Sequence, residues 1–276
     1  MEYIHFDLPT RKLRESCIRI YPIVCMHVGA AQCDAKFIRE HLYRAKHDEN
    51  ARLVYMGDGG ECVTKLSKGD VYAQLCSPQE QHDILVDWLE PVKEKLLFGI
   101  RGNHGHRIYK ETGLDFDKNL CHRLGVPYLG ASCFANLNIN RSSYDCFFHH
   151  GADSGIPLQT KVAKAEQFGK FVDADAIFTA HSHVAIELPP LMLLQADNAN
   201  SDIRTKQRHQ YICGSGYDSR SGYAEDKAYS PILPSYPVIQ FDGRIVEGKA
   251  QYSQRCAIFR SDGNHKLKHD YIKEAR

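Results

Sequence analysis

The chain has 276 residues, of which 43% are hydrophobic and 25% charged, and its formal net charge is +1. This composition is ordinary for a globular protein, and with no linker in sight it predicts a single domain over residues 1–276. A net charge so close to zero argues against binding driven by an overall basic field, although it leaves room for a local basic groove.

Ten cysteines are scattered along the chain without a C-x-x-C spacing, and the chain is too long to need disulfide staples. The first fourteen residues are mixed and charged, unlike the apolar segment of a signal peptide. No apolar run approaches the roughly 18–20 residues of a membrane helix. We therefore expect reduced thiols, a cytoplasmic location and no membrane contact.

The first half of the chain alternates strands and helices, which predicts a parallel sheet with right-handed crossovers. Pro22 lies inside the first strand, and this predicts an edge position or a bulge. The predicted elements are a strand at Ile18–Met26, a helix capped by Asp34, a strand at Leu53–Met56, a helix opened by Ser77-Pro78 and a strand at Leu97–Arg101.

The second half is richer in short β-type runs, which predicts a second sheet with antiparallel strands. Two loops, Glu61–Ser77 and Asp197–Thr205, are expected to border the functional site and select its substrate. The predicted elements are helices at Phe116–Leu124 and Lys161–Val172 and strands at Cys133–Ile139, Tyr144–Phe148, Ala176–Ala180, Ile186–Leu194, Gln210–Cys213, Val238–Phe241 and Ala257–Arg260.

Five of the apolar runs end in residues that can bind a metal. Because buried parallel strands deliver polar side chains to the carboxyl edge of a sheet, these stretches are expected to meet. They are Cys25-Met26-His27, Gly57-Asp58, Gly102-Asn103-His104, His149-His150-Gly151 and Ala180-His181-Ser182-His183.

Such a set of side chains suits a pair of divalent metals bridged by a carboxylate, for which Asp58 is the best candidate. Two ions about 3.5–4 Å apart can hold a phosphate and lower the pKa of a shared water toward neutrality. Neutral imidazoles and an Asn carbonyl add no charge, so the metals stay electropositive enough to bind phosphate.

As an ordered set, Cys25-x-His27, Gly57-Asp58, Gly102-Asn103-His104, His150-Gly151 and Ala180-His181-x-His183 resembles the calcineurin-like metallophosphoesterase family. The resemblance implies an α/β fold, a four-layer α/β/β/α sandwich with two mixed β-sheets. It also implies a first metal held by Cys25, His27, Asp58 and His183, and a second held by Asp58, Asn103, His150 and His181. His104 would then lie near the leaving group as an electrostatic stabiliser or general acid.

A narrower resemblance is to the small metallophosphoesterases of phages and prophages, which would place the protein in a host cytoplasm. It rests on His149-His150-Gly151 and on the stretch Ser221–Lys227.

Cys25 stands where the family has aspartate, and RNA lariat debranching enzymes are similar to the chain in this respect. A thiolate ligand favours zinc or ferrous iron over manganese at that position. The alternative is a buried cysteine that packs as a small hydrophobic residue and leaves the first metal site weakened.

The expected activity is hydrolysis of a phosphodiester in a nucleotide or nucleic acid, with two divalent metal ions (Mn, Zn or Fe) as cofactors. His106 and Arg107 follow the Asn-His pair and are candidates for substrate binding, or else solvated loop residues. Of His149 and His150, only one is expected to face the metals, because neighbours on a strand point to opposite sides. A phosphomonoesterase or protein phosphatase of the same fold, and a non-catalytic metal-binding scaffold, remain as alternatives.

Overall fold

The computed structural model describes residues 1–10, 16–67, 70–152, 157–197, 202–221, 225, 228, 230–246, 249–250 and 252–262. The helices are α1 (Ala35–His47), α2 (Pro78–Leu89), α3 (Gly105–Thr112), α4 (Phe116–Leu124) and α5 (Leu158–Gly169). The strands are β1 (Glu2–Asp7), β2 (Cys17–Ile23), β3 (Ala51–Tyr55), β4 (Leu96–Gly99), β5 (Ser132–Ile139), β6 (Ser142–His149), β7 (Ala176–Thr179), β8 (Ala185–Asp197), β9 (Asp202–Cys213), β10 (Ser235–Asp242), β11 (Ile245–Val246), β12 (Lys249–Ala250) and β13 (Gln254–Arg260). Within these ranges, no helix combines the length and apolar character needed to cross a bilayer.

The strands form two mixed sheets. One has the order β13-β10-β2-β3-β4, with β2, β3 and β4 parallel, and the other has the order β1-β5-β6-β7-β9-β8, with β6, β7 and β9 parallel. β11 and β12 form a separate two-stranded pair. The predicted antiparallel pairing of the runs at Cys133–Ile139 and Tyr144–Phe148 is confirmed by β5 and β6.

Aromatic side chains join the two sheets face to face. Phe98 of β4 packs edge-on against Phe148 of β6, with ring centroids 5.1 Å apart, and Phe241 of β10 packs against Tyr144 and Phe178. The helices α1 and α4 contact the five-stranded sheet, whereas α5 contacts β7 and β9 of the other sheet. The fold is therefore the expected four-layer α/β/β/α sandwich with two mixed sheets.

The helix starts follow local capping chemistry. Asp34 accepts a hydrogen bond from the backbone N–H of Phe37 at 2.9 Å and so caps α1, as expected. Ser77 and Glu80 form a reciprocal capping box at the start of α2, with Pro78 in the first turn. These short-range signals explain why both helix starts could be predicted from the sequence.

The expectation for Pro22 is wrong. β2 is central in its sheet, between β10 and β3. Its pairing with β10 covers Cys17 to Ile20 only, so Pro22 lies beyond that pairing and its missing N–H removes no bond to β10. Four elements, β1, α3 and the two-residue strands β11 and β12, have no counterpart among the predicted ones. The first turn of α3 is polar and follows a glycine turn, so it has no apolar repeat to reveal it.

Candidate metal centre

The five stretches lie at one edge of the sandwich, where strands from both sheets end. Cys25 and His27 follow β2, Asp58 follows β3, and Asn103 follows β4. The facing sheet contributes His150 after β6, and His181 and His183 after β7. Because the two sheets pack against each other, turns far apart in the sequence meet above the core.

Backbone hydrogen bonds join the turns after β2 and β3. The N–H of Cys25 donates to the carbonyl of Gly57 at 3.1 Å, and the N–H of His27 donates to that of Asp58 at 3.2 Å. The next turn approaches so closely that a Cβ on Gly102 would lie 2.1 Å from Oδ1 of Asp58. Only glycine fits at this position, and this explains its place in the Gly-Asn-His motif.

Backbone strain is concentrated at the same residues. Eight described residues other than glycine have a positive φ, and five of them are candidate ligands: Cys25 (47°), His27 (51°), Asp58 (54°), His181 (68°) and His183 (59°). Such residues occupy the left-handed region at a cost of about 1–3 kcal/mol each. This strain aims the side chains into one space and is typical of functional sites.

The first group of ligand atoms comprises Cys25, His27 and His183, all within 4.8 Å of one another. The Nε2 atoms of His27 and His183 are 3.0 Å apart. Two nitrogens bound to one zinc ion at about 2.0–2.1 Å in tetrahedral geometry would lie about 3.4 Å apart, so this spacing is close to that of a shared ion.

The second group is centred on Asp58 and His150. The Nε2 atom of His150 lies 2.9 Å from Oδ2 of Asp58 and 3.0 Å from Oδ1 of Asn103, and the His181 ring centroid is 5.4 Å from that of His150. His150 donates from Nδ1 to the carbonyl of Met56 at 2.6 Å, which leaves Nε2 free to act as a ligand.

The donor set suits divalent cations. Oδ2 of Asp58 is buried and lies 2.9 Å from Nε2 of His150, so this carboxylate oxygen faces an imidazole nitrogen that can share an ion with it. Burial alone would raise the pKa of Asp58, but the facing imidazoles of His150 and His104 hold it well below its usual range. These buried His, Cys and Asp side chains could hold metal ions.

Sequence reasoning missed Glu61. Its carboxylate accepts a hydrogen bond from Nδ1 of His27 at 2.8 Å, and its carbonyl accepts one from Nδ1 of His104 at 2.8 Å. Glu61 thereby fixes the tautomers of both imidazoles, and Nε2 of His27 is directed toward His183. The only signal was its place three residues after Asp58 in the same glycine-rich turn.

A second missed residue lies beneath the site. Asp117 of α4 accepts from the N–H of Gly102 at 3.0 Å and from the hydroxyl of Tyr55 at 2.5 Å, and that hydroxyl accepts from the N–H of Gly59 at 3.0 Å. Burial raises the pKa of Asp117 to about 7. This network ties the Asp58 turn to the Asn103 turn from below.

His104, His106 and Arg107 lie at or near the start of α3. Burial lowers the pKa of His104 to about 4, and its Nε2 accepts a hydrogen bond from the guanidinium of Arg107 at 3.0 Å. Arg107 is therefore at the metal centre. His106 is on the helix surface, where its ring stacks on Tyr109. Both belong to a helix and not to the loop considered from the sequence.

Other sequence candidates lie elsewhere. His149 is outside the cluster, where its Nδ1 accepts from the N–H of Gly151 at 2.8 Å and its ring contacts Phe168. Of the Asp197–Thr205 loop, residues 198–201 lie outside the described residues, and for the rest the expectation that it borders the site is wrong, because β9 runs parallel to β7 and begins at the opposite edge, about 35 Å from Cys213. Within Ser221–Lys227, residues 222–224, 226 and 227 lie outside the described residues.

No protein-family model and no curated protein matches the chain. Solved structures to which the chain is similar include Vacuolar Protein Sorting 29 from Cryptosporidium parvum, with 14% identity and a TM-score of 0.43 over 89% of this chain and 99% of that one. Single and double mutants of Vps29 from Entamoeba histolytica are each 11% identical, with a TM-score of 0.40 over 89% of this chain and 100% of theirs. Similarities of this size assign neither a family nor an activity to this chain.

Proposed function

We propose that the protein is a metal-dependent phosphodiesterase that uses two divalent ions to hydrolyse a phosphodiester in a nucleotide or nucleic acid. The observation that carries this proposal is the meeting of two groups of ligand atoms at the buried carboxylate of Asp58. Cys25, His27 and His183 form one group, Cys25 also lies within 4.8 Å of the ligand atoms of Asp58 and His150, and Nε2 of His150 is 3.0 Å from Oδ1 of Asn103.

Cys25, His27, His183 and Asp58 would hold the first ion, and Asp58, Asn103, His150 and His181 the second. Bound divalent ions would polarise a phosphoryl oxygen and lower the pKa of a water molecule. Cys25 favours zinc or ferrous iron at the first position, while manganese remains suitable at the second, which has oxygen and imidazole ligands.

Arg107 and His104 would handle the substrate. The proton of His104 is on Nδ1, bonded to the Glu61 carbonyl, while Nε2 accepts from Arg107. The pair therefore presents a guanidinium, whose planar donors suit a phosphoryl oxygen. His104 would act on the leaving oxygen only after Arg107 had moved from Nε2 and that nitrogen had gained a proton, so its first role would be to position the Arg107 guanidinium.

Replacement of ligands tests the proposal. Asp58→Asn and Asn103→Ala should each lower the turnover of bis(p-nitrophenyl) phosphate with added manganese or zinc by about a hundredfold or more. Asp173→Asn and Asn138→Ala are matched controls at the opposite edge of the sheets and should retain full turnover. Unchanged turnover in both ligand variants would refute the proposal.

Metal content and substrate range separate the alternatives. Elemental analysis of protein purified without chelator should find up to two divalent ions per chain. If the protein is a non-catalytic scaffold, it should bind metal ions but hydrolyse no ester. A phosphomonoesterase predicts faster turnover of p-nitrophenyl phosphate than of the diester, and a panel with both substrates decides between them.

A further inference from the structure

The surface of α3 carries a stacked aromatic pair that the proposed chemistry does not use. The rings of His106 and Tyr109 are stacked, with centroids 5.3 Å apart and an interplanar angle of 13°, and Tyr109 is 47% exposed. His106 is partly buried, and its Nδ1 is buried without a hydrogen bond within the described part of the chain. Tyr109 therefore presents the exposed aromatic surface, and the ring of His106 is stacked against it.

The charge around this pair is positive. Arg101 and Lys110 both lie close enough to His106 to act on it electrostatically, with Asp115 as the opposing acidic group. Asp115 is already engaged, because its carboxylate accepts from the N–H of Lys118 at 3.0 Å and the hydroxyl of Tyr128 at 2.9 Å. Among the described residues, the side chains of Arg101 and Lys110 form no ion pair, so two cations are available near Tyr109.

The patch lies on the helix that also carries Arg107. α3 begins directly after His104, and Arg107 bonds to His104 at 3.0 Å. At 1.5 Å rise and about 100° of rotation per residue, Tyr109 is about 7–8 Å along the helix axis from His104 and about 200° around the helix from Arg107. A strand whose scissile phosphate is at Asp58 would therefore pass around the N-terminal end of α3 to place a base on this surface.

We infer that His106 and Tyr109 form a stacking platform for a base of a single-stranded polynucleotide, with Arg101 and Lys110 contacting its phosphates. The inference rests on the proposed phosphodiesterase function and names its substrate class. Aromatic rings interleaved with cations are what single strands need, since every base has a π-face and every linkage a charge. A duplex keeps its bases stacked inside, and a phosphopeptide gains little from a flat aromatic surface.

Binding is measured by fluorescence anisotropy of labelled oligodeoxythymidylate and oligouridylate with the full chain. Tyr109→Ala should weaken binding about tenfold, whereas Tyr109→Phe, which keeps the ring, should bind like the wild type. Lys110→Ala should reduce the slope of log affinity against log salt by about one.

The matched control is Tyr43→Ala. Tyr43 is 65% exposed and its ring centroid is 4.0 Å from that of His47, but this pair lies at the end of α1, away from the metal centre. The control should bind both strands like the wild type. If the loss of any exposed tyrosine weakened oligonucleotide binding, Tyr43→Ala would bind as weakly as Tyr109→Ala.

The ratio of kcat/KM for the oligonucleotide to that for bis(p-nitrophenyl) phosphate adds a second readout, and Tyr109→Ala should lower this ratio about tenfold. An unchanged ratio and unchanged affinity, or Tyr109-dependent turnover of a phosphopeptide instead, would overturn the inference. Strand binding that depends on Tyr109 without turnover of any diester would support the platform and refute the proposed phosphodiesterase.

Discussion

At the scale of one residue, Asp58 shows how the backbone and the neighbouring turns together position a single carboxylate. Its Oδ1 accepts from the backbone N–H of His104 at 2.7 Å, its Oδ2 lies 2.9 Å from His150, and its φ is +54°. One oxygen is thus held by the Gly-Asn-His turn, while the other faces the imidazole of His150. The strained backbone and the flanking glycines allow both contacts to be made at once.

Glu61 leads to a prediction at the same scale. Glu61→Gln preserves the shape of the side chain but removes the charge that holds Nδ1 of His27, so His27 should be less well oriented as a ligand. We expect the affinity for zinc or manganese to fall about 10–100-fold, as it does when a carboxylate behind a ligating histidine is lost. Calorimetric titration of metal-free protein measures this.

The control for Glu61 is Glu90→Gln, since Glu90 pairs only with Lys93 on the surface among its described contacts. It should leave the metal affinity as in the wild type. Equal affinities for Glu61→Gln and the wild type would mean that His27 is positioned without the carboxylate.

At the scale of elements, the C-terminal end of α1 is capped by Lys95, a residue from a different part of the chain. Nζ of Lys95 donates to the carbonyls of Ala45, Lys46 and Asp48 at 2.9, 2.8 and 2.8 Å. The last carbonyls of a helix lack partners of their own and carry partial negative charge, so an ammonium group stabilises them. Lys95 thereby fixes α1 to the segment that leads into β4.

Lys95→Met should lower the free energy of unfolding by about 1–2 kcal/mol, because three carbonyls lose a charged donor and water can replace it in part. Urea denaturation followed by circular dichroism measures the change. The control is Lys93→Met, which breaks a surface pair with Glu90 and should have little effect. A loss no larger for Lys95→Met than for Lys93→Met would contradict the capping role.

Helix α2 also holds the Glu61–Ser77 loop in place through the side chain of Gln81. Gln81 of α2 is fully buried, accepts from the N–H of Cys62 at 2.9 Å and donates to Gln74 and to the carbonyl of Cys76, both at 3.0 Å. The Glu61–Ser77 loop is therefore pinned on both sides, and this holds Glu61 against His27.

For the whole molecule, the contact of α1 with its sheet introduces a dependence of stability on pH. His41 is 1% exposed and packs between Tyr21 of β2 and Tyr236 of β10, with ring centroids 5.2 and 4.7 Å away. Burial lowers the pKa of His41 to about 3. The unfolded chain, with a histidine pKa of about 6.5, binds a proton that the folded chain does not.

Stability should therefore fall as the pH drops below about 6.5, and this loss should continue toward the folded pKa of about 3. Between pH 6.5 and 5 the contribution of His41 amounts to about 1.6 kcal/mol. His41→Phe fills the space between the tyrosines without a titrating group, so it should flatten the pH dependence by that amount. Urea denaturation at both pH values measures it, and equal slopes in variant and wild type would contradict the assignment.

The sequence alone determined the residues that meet at the carboxyl edge, because each follows an apolar run and parallel strands end together. Cys25, His27, Asp58 and Asn103 could be placed in this way, and the two sheets brought His150, His181 and His183 opposite them. The starts of α1 and α2 could likewise be predicted from Asp34 and Ser77, because a capping side chain bonds to backbone groups only a few residues away in the chain.

Only the tertiary structure decided the parts that depend on contacts far apart in sequence. Glu61 and Asp117 belong to no pattern, yet each bonds to a turn brought close by folding. α3 has no apolar repeat because one side of it faces the metal centre and another faces solvent. Pro22 could lie in a central strand because β10 stops pairing before it, and Asp197 and Asp202 lie far from the site because β9 runs parallel to β7. Local chemistry fixes element starts and strand-end residues, whereas registers and partners are fixed by the packing of one sheet on another.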